Sequence, residues 1–202
     1  MDFSTLTKEQ STPKNLLNLQ KGEKLDLTKA SPSLKKVILA GGWDAVIRGA
    51  TADLDLAAFL VGESGYVEKI PDDVVFFNHQ EANGVKYGGD NRIGGGNGDD
   101  ETMVVDLEKI DENINKIVFS ITIFQAQEKY QNFGQIKNAY VRLLNAEEDN
   151  EELVRYSLTE EFSTETAVFA CELVRNKNGW DFVARGDGRM GDLNTLLMEY
   201  VK

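Results

Sequence analysis

The stretch AVFACELV, Ala167 to Val174, decides the fold. One parity, Ala167, Phe169, Cys171 and Leu173, is apolar throughout, and the other, Val168, Ala170, Glu172 and Val174, is apolar except for Glu172. Side chains along a strand alternate between its faces, so this pattern describes a strand covered on both sides. Outward from it, similar short runs recur between glycine, asparagine and aspartate: Lys36 to Trp43, Leu54 to Val61, Val74 to Asn78, Thr102 to Leu107, Ile117 to Phe124, Ala139 to Leu144, Val154 to Leu158 and Trp180 to Ala184. Many short strands without long helices between them predict an all-β fold, a β-sandwich of two mainly antiparallel sheets. Helical spacing is convincing near the end, where Leu193, Leu196, Leu197 and Tyr200 share a face and Asp192 stands where a cap belongs. A short C-terminal helix covering one side or end of the sheets is expected there.

Residues 1–14 are polar, contain Pro13 and lack periodicity, which predicts a flexible leader. No linker divides 15–202, so one sandwich domain is expected over that range. The chain of 202 residues is 41% hydrophobic, enough for an ordinary core. Its 34 acidic against 22 basic residues leave a net charge of -12, which repels phosphate backbones and argues against nucleic acid as a direct ligand. Cys171 is the single cysteine, so neither an intramolecular disulfide nor a thiolate metal site can form. With no apolar leader and no run approaching the roughly 18 apolar residues of a spanning helix, a cytoplasmic protein is expected.

The acidic residues are clustered. Asp53 and Asp55 flank Leu54 on one face of a strand, about 6.6 Å apart along the chain. The residues that follow are apolar on both parities, so this pair lies near a core and is costly unless something positive stands between the carboxylates. The segment GGDNRIGGGNGDDE, residues 88–101, adds Asp90, Asp99, Asp100 and Glu101 among glycines and asparagines, opposed only by Arg92. Glycine lets backbone carbonyls turn inward beside carboxylates, an all-oxygen mixture that suits calcium better than the stricter magnesium. Zinc, copper and haem do not fit a chain with one histidine and one cysteine.

Known loop motifs do not account for the cluster. Neither Asp53-Leu54-Asp55 nor Asp90-Asn91-Arg92 continues as an EF-hand loop, and the glycine run lacks the lysine-serine or lysine-threonine pair of a phosphate loop. Gly95 to Asp100 matches the opening of a calcium nonapeptide, but only once, and that motif works in tandem.

Taken together, Gly42-Trp43-Asp44, Asp53-Leu54-Asp55, Phe77-Asn78, Gly89-Asp90-Asn91-Arg92, Gly98-Asp99-Asp100-Glu101, Gln131-Asn132-Phe133-Gly134-Gln135 and Glu165-Thr166-Ala167 resemble, in order, the TerD domain of bacterial tellurium-resistance and general stress proteins. The resemblance covers about 17–197. It implies a β-sandwich that binds two calcium ions in neighbouring acidic loops, with no established catalytic activity. The matched metal positions are Asp44, Asp53, Asp55, Asp90, Asp99, Asp100 and Glu101, with Asn78 and Asn91 as amide ligands. The chain departs from the family pattern at Phe124-Gln125, where a histidine and an acid are usual, and at Tyr87-Gly88, where a histidine and a threonine are.

The expected function is therefore a calcium-binding stress-response protein whose ordered loops present a surface to protein partners, in a complex at the inner face of the membrane. The alternative is a hydrolase acting on a glycoside or phosphodiester through Asp53 and Asp55, since paired catalytic carboxyls stand roughly 5 to 9.5 Å apart. A dense acidic cluster without bases is better neutralised by a cation than split into an acid and a base. Outside the cluster, His79 is expected to be exposed, Cys171 an inert packed thiol, Trp43 and Trp180 core anchors, and Gln131 to Gln135 a structural turn with Phe133 packed inward.

Overall fold

The structure, a computed structural model, describes residues 17–45, 52–89, 98–158 and 162–202. The expected leader lies outside them. Two sheets form the molecule. The first has seven strands in the spatial order β1 (Asn18–Leu19), β11 (Glu151–Ser157), β10 (Ile136–Asn145), β3 (Lys36–Ala45), β8 (Glu101–Asp106), β7 (Val85–Gly89) and β6 (Glu81–Ala82). The second has six, β2 (Lys24–Asp26), β13 (Gly179–Arg189), β12 (Ala167–Asn176), β9 (Ile114–Ile123), β4 (Leu54–Gly62) and β5 (Val74–Val75). Pairing is antiparallel except where β1 runs parallel to β11. Among the described residues helices are short: α1 (Leu27–Ala30), α2 (Ala126–Lys129) and α3 (Leu193–Met198).

Two apolar layers hold this arrangement. Along β4, Leu54, Leu56, Ala58 and Leu60 belong to the core between the sheets, while Ala57, Phe59 and Val61 belong to a second cluster on the outer face of the second sheet. There α3 lies across the sheet. Leu196 is fully buried, and the Tyr200 ring meets Phe169 at 5.6 Å and Phe59 at 5.9 Å. Asp192 caps the helix by accepting from Thr195 N at 2.9 Å, as its position in the sequence predicts.

The strict alternation read from Ala167 to Val174 breaks in the middle. A register shift between Phe169 and Cys171 makes β12 bulge, so that Ala167 and Phe169 face α3 whereas Val168, Ala170, Cys171 and Leu173 all face the inter-sheet core. Three further boundaries differ from expectation. The run from Val74 ends as a strand at Val75, and Phe76 and His79 then bridge across a turn at Phe77 and Asn78. β13 continues past Ala184 to Arg189, because its polar end pairs with Ala167 to Phe169. β7, absent from the runs read as strands and ending in Gly88 and Gly89 of the glycine-rich acidic segment, is a strand held by β8.

Candidate functional site

Antiparallel pairing carries the end of β3, the start of β4, the start of β8 and the end of β9 to one end of the sandwich. Gly41 on β3 stands opposite Glu101 on β8, and Leu54 on β4 opposite Ile123 on β9, beyond which Phe124 N donates to Asp53 O at 2.7 Å. Glu101 ties the two sheets together. One of its carboxylate oxygens accepts Leu56 N from β4 at 2.5 Å and the other accepts the Tyr87 hydroxyl from β7, with only 1% of the residue exposed. Asp100, also buried, accepts Trp43 N at 2.9 Å while its own N–H donates to Gly41 O at 2.8 Å. Trp43 is thereby locked in the core, its indole N–H donating to Ala52 O at 3.2 Å.

Asp44, on β3 opposite Lys137, accepts Asn138 Nδ2 at 2.7 Å. Asp55, half-buried, stands opposite Thr122 on the outer face of the second sheet, with the equally half-buried Asp53 two residues before it. Asn78 is exposed on its turn, which reaches the same end because the Phe77 ring meets Phe124 edge-on at 6.2 Å. The structure therefore brings Asp44, Asp53, Asp55, Asp100, Glu101 and the Asn78 turn to one end, while Asp90 and Asn91 lie outside the described residues. These donors are all oxygen and mostly anionic, which fits a hard divalent cation. Among the described residues, no three histidine, cysteine, aspartate or glutamate side chains are grouped as a metal shell by themselves.

Asp99 turns elsewhere. Arg142 on β10 holds it bidentately, Nε to Oδ1 and a terminal nitrogen to Oδ2, both at 2.8 Å, and the Tyr140 hydroxyl donates to Oδ1 at 3.0 Å. Tyr140 and Arg142 alternate with Val141 and Leu143 of the core, so this array lies on the outer face of the first sheet. It continues through Glu152, which takes Arg142 at 2.7 Å and Arg155 at 2.7 Å, and Arg155 stacks 4.1 Å above the Tyr140 ring. The Tyr140 ring crosses β3 at Gly42, where any Cβ would meet its hydroxyl oxygen at 2.5 Å, so the position requires glycine. The hydrogen bond that Arg142 donates to Asp99 outweighs burial and raises the Arg142 pKa. Burial pushes the Glu152 carboxyl up, but the guanidiniums of Arg155 and Arg142 outweigh it and leave the group below its ordinary value.

Sequence reading gives no role to Tyr140, Arg142 or Glu152; it marks Tyr87 only as a departure from the family pattern and Arg155 only as part of the resemblance. Arg142 and Asp99 stand 43 positions apart, and nothing local marks them as partners. His79 is half-buried rather than exposed, its Nδ1 hydrogen-bonded to Val74 O at 2.7 Å. Cys171 is fully buried, and that burial, with the charge of Glu172 beside it, pushes the thiol well above its ordinary value, the opposite of an activated nucleophile. In the Gln131 to Gln135 turn, Phe133 is buried against Phe162, and Gly134 passes so close to Ser163 O that a Cβ would stand 2.5 Å away.

Fold and site define a two-sheet β-sandwich with an acid-lined loop end. The TerD domain matches residues 16–200. The chain is 46% identical over 188 residues to general stress protein 16U of Bacillus subtilis (strain 168), covering 91% of this chain and 96% of that one. It is 41% identical over 187 residues to tellurium resistance protein TerD of Serratia marcescens, covering 91% and 96%. A crystal structure of a homologue of telluride resistance protein (TerD) from Streptomyces coelicolor A3(2) shares the fold, with a TM-score of 0.67 at 21% identity over 82% of this chain and 96% of that chain. The chain belongs to the TerD domain family of tellurium-resistance and general stress proteins.

Proposed function

We propose that the acidic end binds calcium, as two ions, and that the bound cations order the loops into a surface for protein partners in a cytoplasmic stress-response complex at the inner face of the membrane. The observation that carries the reading is the delivery of Asp44, Asp53, Asp55, Asp100 and Glu101 to one end by β3, β4 and β8 of both sheets. The connections between β3 and β4 and between β7 and β8 leave from that end, and the second carries Asp90 and Asn91. Carboxylates brought together at the rim of a core favour a bound divalent cation over mutual repulsion. The protein acts in this reading as a binding module and not as an enzyme, in keeping with relatives whose names describe resistance and stress and state no reaction.

Calcium that binds the folded chain alone stabilises it, by about 2.7 kcal/mol at a hundredfold excess over the dissociation constant. The expected outcome is a melting temperature that rises from chelator to excess calcium, with less response to magnesium, and a calorimetric calcium titration that weakens in Asp55→Asn and Asp90→Asn. A melt identical with chelator and with excess calcium, and no heat on titration, would overturn the reading.

A further inference from the structure

The acidic end contains a cation of its own. Arg142 engages both oxygens of Asp99, and Tyr140 takes a second acceptor site on Oδ1. A guanidinium so placed repels any metal ion brought to the same carboxylate. The two neighbouring acids point away from it: Asp100 holds Trp43 N, and Glu101 holds Leu56 N and Tyr87. Glu101 shares its parity along β8 with Met103 and Val105 of the inter-sheet core, whereas Asp99, two residues earlier, is held on the outer face, so the chain bends at Asp100 and the anchored Asp99 fixes where that bend delivers Asp100 and Glu101.

We propose that Arg142 is a positioning residue for the cation site, with Asp99 as its anchor and not a metal ligand. This rests on the calcium reading above. The array behind Arg142 is built to keep it still. Glu152 accepts Arg155 on both oxygens and Arg142 on Oε2, Arg155 covers the Tyr140 ring, and the Tyr140 ring fills the space left by Gly42. The chain from Asp99 to Arg155 ends at the strand edge, where Arg155 N donates to Leu17 O. An arginine is required because only its planar fork spans both carboxylate oxygens while a further nitrogen reaches Glu152.

The test is a calorimetric calcium titration of the full chain and of Asp55→Asn, Asp99→Asn, Arg142→Met, Arg142→Lys and the Asp99→Asn/Arg142→Met pair, with circular dichroism to select folded variants. Partners that orient a metal site from behind its ligands typically change affinity about ten- to a hundredfold when removed. Arg142→Met is expected to weaken calcium binding by about tenfold, at the lower end of that range. Asp99→Asn should weaken it by the same factor and the double variant by no more, with Arg142→Lys intermediate and the number of ions unchanged. If Asp99 is a ligand, Arg142→Met frees it and tightens binding, while Asp99→Asn loses an ion; either result overturns the proposal and leaves the calcium reading standing. Absence of calcium heat in the unmodified chain removes both. Should Arg142→Met not fold, Tyr140→Phe removes one Asp99 contact without a charge, and calcium binding tightened by that change would overturn the proposal equally.

Discussion

Glu101 shows how one side chain can serve the fold and the candidate site together. Its carboxylate accepts from a backbone N–H of one sheet and a hydroxyl of the other while almost wholly out of solvent. Glutamine in its place has the same shape but only one acceptor oxygen; with that oxygen on Leu56 N, its amide nitrogen can only donate to the Tyr87 oxygen, and the Tyr87 proton loses its acceptor. Leaving a buried donor unmatched costs about 1–3 kcal/mol. Glu101→Gln should lower the urea midpoint accordingly with the slope unchanged, and an unaltered midpoint would show that the two contacts contribute nothing net. Sequence reading assigned Glu101 to metal binding from its place in the acidic run, because a contact across sheets leaves no mark in a local pattern. Arg142 was unreadable for the same reason.

At the level of elements, α3 offers the cleanest measurement. Its Asp192 cap accepts Thr195 N, and the helix presses Leu196 and the following Tyr200 onto Phe59 and Phe169. Asp192→Ala should cost about 1 kcal/mol, which for a chain of this size lowers the melting temperature by about 2–4 °C. A melt unchanged by the substitution would show that packing alone holds the helix. Apart from the two-residue β5, the strands and terminal helix that read clearly from the sequence are those with an apolar run or a cap beside a helical stripe. β1, β2 and β6 are too short to show alternation. α2 is flanked by Gln125 and Tyr130 with φ of 55° and 54°, left-handed positions that a reader expects of glycine and not of these residues. The bulge in β12 was equally hidden, since apolar residues on both parities suit either face.

On the scale of the whole molecule, net charge and fold act at different places. The net charge of -12 says nothing of where the acid lies, whereas pairing in the two sheets brings Asp44, Asp53, Asp55, Asp100 and Glu101 from three separate segments to one end. That concentration was legible from Asp53-Leu54-Asp55 and from residues 88–101; its division between an anchored Asp99 and inward-turned neighbours was not. Because Glu101 grips Leu56 across the layers, the acidic rim cannot swing outward like a flap hinged on one sheet; lifting it means prising the sandwich apart. The Leu56 amide should therefore exchange its proton for deuterium only in the rare openings that unfold the molecule, among the slowest sites of all. Exchange at the pace of surface turns would reveal instead a mouth that gapes while the body stays shut.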